Sequence, residues 1–144
     1  MFTRLCLFFL VSSTAGCFQQ DESKTSKLLP SDYASTYALA QSCRLSTGHE
    51  HFIKVLTDSK ETNQAYLAGD RLLPDNSLVM TEEYDDANCS VLVGYTLMRK
   101  DPGYDPSHND WRWQELDDKR DVLKDGREQT CIDCHQKCVK AANP

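Results

Sequence analysis

The residues Cys131-Ile132-Asp133-Cys134-His135 carry the sharpest chemistry in this chain. Two thiols three residues apart, followed at once by an imidazole, form the attachment signature of c-type haem: the thiols add to the two vinyl groups and the imidazole binds the iron. The spacing has a physical reason. On one helical turn the pair can bridge the porphyrin edge while the next residue turns its ring beneath the metal. Other uses of paired cysteines fit less well. A structural zinc site wants a second paired-cysteine arm, which Cys43, Cys89, His49 and His51 do not form. A thioredoxin-like redox pair belongs early in a βαβ unit, whereas this motif falls near the C-terminal end of the sequence. The motif implies one covalent haem c per chain, held by Cys131, Cys134 and His135, with His135 as the iron ligand.

Covalent haem attachment takes place outside the cytoplasm, and the first residues supply an export signal. Arg4 precedes an apolar run from Leu5 to Val11, then small residues lead to Cys17, so 1–16 reads as a secretory signal peptide. The run is shorter than the roughly 20 residues that a ~30 Å bilayer core requires. Thr14-Ala15-Gly16-Cys17 resembles the bacterial lipobox, where cleavage leaves a lipid-bearing cysteine, although Thr14 stands where Leu is most frequent. Ordinary cleavage near Ala15 is the alternative. Residues 17–29 are polar and aperiodic, as in a flexible tether, and 30–144 form the domain. The expected location is the bacterial cell envelope, facing the periplasm and touching the membrane only through the lipid, or else the soluble periplasm. Composition agrees with one exported domain. The chain has 144 residues, 16 Lys+Arg against 22 Asp+Glu, a net charge of −6 and seven cysteines. That acidity excludes a nucleic-acid backbone as partner, and the cysteines suit an oxidising compartment or a cofactor.

The elements that must position the motif follow from periodicity and turn chemistry. Tyr33, Ala34, Tyr37, Ala38 and Ala40 recur at helical spacing, which predicts a helix over 31–43. A short strand is expected over 52–56. Asp58 and Glu61 look like a capping box opening a helix that ends at Gly69. Residues 78–84 and 91–99 are strand-like and joined by a polar link into a hairpin. The turn-rich stretch 101–106 leads into a strand over 111–116, Asp125-Gly126 marks another turn, and the segment from about 131 is helical. The sum is α+β, an antiparallel sheet with flanking helices and a C-terminal haem-binding helix.

The run Leu73 to Tyr84, then Gly94 to Lys100, Gly103-Tyr104-Asp105-Pro106, Asp110 to Gln114 and the haem motif, in that order, resembles the cytochrome P-460 family over about 51–135. The resemblance implies a small antiparallel-sheet domain, often dimeric, with one haem c, His135 as proximal ligand and the opposite iron face open. A homodimer and a redox partner protein are therefore expected partners. Family members include hydroxylamine-oxidising cytochromes and the nitric-oxide-binding cytochromes c′-beta, so a small nitrogen species is the expected ligand. One departure matters: where the enzymes have a strand lysine bonded to the porphyrin edge, this register gives Thr81, which has no amine. Hydroxylamine oxidation is put in doubt, and Lys54 and Lys100 are the other strand lysines that could approach the haem.

Several side chains remain open in role. Glu82 and Glu83 alternate across a strand, so one points inward and could move protons during ligand chemistry. Trp111 and Trp113 share a strand face and could wall the pocket or fill the sheet core. Met80 or Met98 could ligate the iron as a sixth ligand, which would make the protein an electron-transfer cytochrome without substrate chemistry. His49 and His51 are alternative distal ligands, and His108 sits in a turn. With Cys17 lipidated and two thiols on haem, Cys43, Cys89 and Cys138 remain. The favoured disulfide joins Cys43 to Cys89, tying the first helix to the hairpin and leaving Cys138 free or paired between chains; Cys43 to Cys138 is the competing pair, and without lipidation of Cys17 two disulfides become possible.

Overall fold

The computed structural model describes residues 27–69 and 73–141. The signal segment, Cys17 and most of the expected tether lie outside the described residues. Six strands form one antiparallel sheet in chain order: β1 (Ala38–Ser46), β2 (His51–Thr57), β3 (Leu78–Tyr84), β4 (Leu92–Lys100), β5 (Trp111–Asp117) and β6 (Val122–Gly126). Among the described residues three α-helices accompany it, α1 (Tyr33–Thr36), α2 (Lys60–Ala68) and α3 (Gln129–Ala141), with a 3-10 turn at Pro106–His108. The α+β expectation holds. Among the described residues every strand pairs only with its sequence neighbours, and the one long connection, from β2 to β3, carries α2.

Alternation along the strands gives each sheet face its own core. On the first face Leu56, Leu78, Met80, Tyr95, Leu97 and Leu116 pack with Leu28, Leu29 and Tyr33. Gln114 fastens this cover: its Oε1 accepts the Leu28 backbone N–H at 2.8 Å. Leu28 and Leu29, ahead of Pro30, thus belong to the packed core. On the second face Ile53, Val55, Leu73 and Val79 pack with Ala65 and Tyr66 of α2 and with Met98 and Trp111.

The sequence and the structure differ at three places. The helix expected over 31–43 is a single turn, α1, after which the chain runs extended as β1. Alanine-rich spacing suits a helix, but an isolated helix of that length is marginal, and pairing with β2 from Ala38↔Thr57 to Ser46↔His51 satisfies the backbone instead. The cap of α2 is Ser59, one residue after the expected Asp58: its Oγ accepts the Thr62 N–H at 3.0 Å. Gly69 ends α2 as expected, in the left-handed region at φ 74°. Asp125-Gly126, expected as a turn, ends β6, where Gly126 lies opposite Trp113 and Arg112 holds the Asp125 carboxylate.

Candidate functional site

The strand registers lay out the second face in rows. Thr57, Val79, Met98, Trp113 and Gly126 form one row, Val55, Thr81, Thr96, Glu115 and Lys124 the next, and Ile53, Glu83 and Gly94 a third. Over these rows lie two cavities of about 470 and 280 Å³ that share Gly48, His49, Thr96, Trp113, Cys134 and His135 in their walls. The larger falls within the ~300–1,000 Å³ typical of ligand and cofactor sites. Met98, Thr81 and Val55 line the larger cavity, and Cys131, Lys124 and Glu83 line the smaller.

Helix α3 brings Cys131, Cys134 and His135 to this place. Ile132 is buried, which turns Cys131, Cys134 and His135 along the sheet. Both thiols are free, in a chain whose Cys43 and Cys89 form a disulfide. Burial, then the charge of Glu128, pushes the Cys131 thiol up. The His135 ring leans on Trp113 with centroids 4.7 Å apart. The protein mass around it, then the charge of His49, hold the His135 pKa below the usual imidazole value, although one side of the ring stays open to solvent. A neutral imidazole with an available lone pair is the form that binds a metal. Trp113 is 3% exposed and its indole N–H has no hydrogen-bond partner among the described residues.

A polar chain borders both cavities. Glu83 Oε1 accepts from His49 Nδ1 at 2.7 Å and from the Thr96 hydroxyl at 2.6 Å. Burial alone would raise the Glu83 pKa, but those hydrogen bonds and the charges of His49 and His51 outweigh it and hold the carboxyl below the ordinary range. The sequence left His49 among several open candidates. The β1–β2 turn folds back toward β3 and sets it against Glu83.

The two strand glutamates part company. Glu82 lies on the first face, where Tyr33 and Tyr84 donate to its carboxylate at 2.8 and 2.6 Å, so it is not brought to the cavities. Lys54 is on that face too, 3.3 Å from the Tyr84 hydroxyl, and Met80 is 1% exposed within the first core, although the larger cavity reaches it as well. Lys100 lies 3.9 Å from Asp75 at the strand end. His51 faces Asp85 at 3.7 Å beside the smaller cavity, and His108 bonds to Asp105 in its turn. Thr81 is 8% exposed and donates to the Thr96 carbonyl at 3.3 Å.

Cys43 of β1 and Cys89 of the β3–β4 link form the favoured disulfide, closing a separation of 46 residues. It ties a strand, not a helix, to the hairpin. The side chain of Cys138 lies outside the described residues. Among the described residues no cluster of three or more His, Cys, Asp or Glu side chains is arranged to hold a metal ion, and no helix is long and apolar enough to cross a membrane. Compared with known proteins, the chain matches no family model and no curated protein.

Proposed function

We propose that this chain is a periplasm-facing, lipid-anchored mono-haem c-type cytochrome of the cytochrome P-460 kind, binding or redox-converting a small nitrogen species such as nitric oxide or hydroxylamine. The observation that carries the proposal is that Cys131, Cys134 and His135, adjacent in sequence, stand together in the wall of a cofactor-sized pair of cavities. The donor set fits haem better than a bare ion. A porphyrin brings its own four equatorial nitrogens and asks the protein for one imidazole, whereas a zinc site asks for three or four side chains. Haem bound here would supply an iron able to exchange electrons with a partner protein and to take a small ligand.

The chain's own groups divide the remaining work. His135 offers its neutral nitrogen, and the Trp113 ring fixes the imidazole's tilt. Val55, Val79 and Met98 exclude water from the larger cavity. His49 and Glu83 hold a proton between Nδ1 and Oε1 at the cavity border, where it can be passed to or taken from a ligand. Thr81 lines the cavity with a hydroxyl engaged by Thr96 and carries no amine for a bond to the ring. A second reading, an electron carrier with a sixth ligand, rests on Met98, whose thioether is on the cavity face.

Absorption spectra of the purified protein, oxidised, reduced and with nitric oxide added, test the proposal together with acid-organic extraction. The wild type should keep its haem through extraction and change its ferrous spectrum with nitric oxide. The Cys131→Ala, Cys134→Ala double variant should lose the haem to the solvent phase. Haem absent from the wild type, or retained covalently by the double variant, would overturn the haem c assignment. A low-spin spectrum indifferent to nitric oxide would instead select the electron carrier, with Met98→Ala expected to open the iron.

A further inference from the structure

The two cavities carry an order that the haem motif does not explain. Cys131 lines only the smaller one, whereas Arg44 of β1 and Tyr66 of α2 line only the larger. Cys134, His135 and Trp113 stand where the two meet. The sequence of groups is therefore thiol, then thiol and imidazole, then guanidinium and phenol. Haem has the same order built in: its two vinyl groups and its two propionates occupy opposite edges of the ring, with the iron between them.

Among the described residues Arg44 is the sole Lys or Arg lining the larger cavity. Its Nε donates to Gln41 Oε1 at 2.8 Å, and no carboxylate lies within ion-pair distance of it among the described residues. The terminal nitrogens of a guanidinium are a planar fork that matches a carboxylate. Tyr66 is close enough to feel the charge: burial raises its pKa and Arg44 pulls it down. A cation and a phenol thus stand in the wall of a largely apolar cavity that also holds Cys134, with Cys131 beyond it in the smaller cavity.

Resting on the haem reading above, we propose that Arg44, assisted by the Tyr66 hydroxyl, binds the propionate carboxylates of the haem and so fixes which way round the ring enters. The thioethers hold one edge covalently. Arg44 holds the opposite edge by charge, and its positive charge near the ring favours the ferrous form.

Two measurements on the full chain test this. In the haem-loaded protein, Arg44→Gln should keep its thioether-linked haem but favour the ferric form about tenfold at a given potential, a downward midpoint shift of about 59 mV for one electron. Arg44→Lys should shift it less, and Tyr66→Phe should shift it slightly in the same direction. In the haem-free protein, iron-free protoporphyrin IX should bind about tenfold more weakly to Arg44→Gln than to wild type, whereas its dimethyl ester, lacking the carboxylates, should bind both alike. Covalent haem in all variants with unchanged midpoints, or an equal loss of free acid and ester, would overturn the role of Arg44 and leave the haem reading standing. A wild type that carries no haem and binds neither porphyrin would overturn both.

Discussion

At the scale of single residues, the contrast between Thr81 and its neighbours gives the site its character. Thr81 is on the cavity face and Lys54 is not, so no described lysine lines the larger cavity, and Lys124 of β6 lines only the smaller. Thr81→Lys should supply the missing amine. In haem-loaded protein after oxidative maturation, mass spectrometry should find a new link between haem and peptide, with a red-shifted ferrous band; a lysine variant with the wild-type mass and spectrum would show that position 81 cannot reach the ring. Glu83 gives a second prediction, from pH. Its carboxyl is depressed in the folded chain, so it contributes stability above its unfolded value of 4.5 and that contribution is lost as pH falls through the lower folded value. Glu83→Gln should therefore cost about 1–3 kcal/mol near pH 7, in the range for hydrogen bonds to a charged group, and the gap to wild type should close in acid. Urea unfolding at pH 7 and below pH 4 measures it, and a gap constant with pH would remove the ionised Glu83 from the account.

At the scale of elements, the disulfide is the connection whose worth can be read directly. It fastens edge strand β1 to the link between β3 and β4, two strands away. Replacing either Cys43 or Cys89 by Ala should lower stability by about 2–4 kcal/mol while leaving the amount of covalent haem unchanged, as checked by denaturant titration without reductant. A loss of haem in step with stability would mean that β1 cannot support the cavity without its staple. How much of this architecture was legible in the sequence depended on what each element pairs with. Leu78 to Tyr84 alternates and is β-rich, and it was placed residue for residue. The signals around α2 and β5 were equally local. β1 was misread because its Ala and Tyr spacing speaks for a helix, and only the ladder to β2, set by residues far along the chain, overrides that. β6 was missed because Gly126 resembles a turn residue; here its φ of 128° ends a strand. The three motif residues of the site were legible because the chemistry requires their adjacency. Arg44, Tyr66 and Thr96 were not singled out, and His49 was one of several open candidates, since their convergence is made by register and by the β1–β2 turn.

At the scale of the whole molecule, the sheet and α3 differ in how they are held. The sheet has a buried core on each face and continuous ladders from β1 to β6. Within α3, Ile132 is buried and His135 meets Trp113, while Asp133, Cys134 and Gln136 are exposed. Elements with few apolar contacts open at lower free energy than the core they rest on. A haem joined to α3 through Cys131, Cys134 and His135 and seated on the second face would add contacts to α3, because a group bound by the folded form stabilises whatever it spans. Hydrogen exchange of the haem-loaded protein against the haem-free Cys131→Ala, Cys134→Ala variant separates the two parts. Amides of β2 to β5 should be comparably protected in both forms. Those of α3 should exchange faster without haem, by at least tenfold, which corresponds to about 1.4 kcal/mol of local opening. If α3 were equally protected in both forms, the sheet alone would hold the helix, and the haem would have entered a site already closed around it.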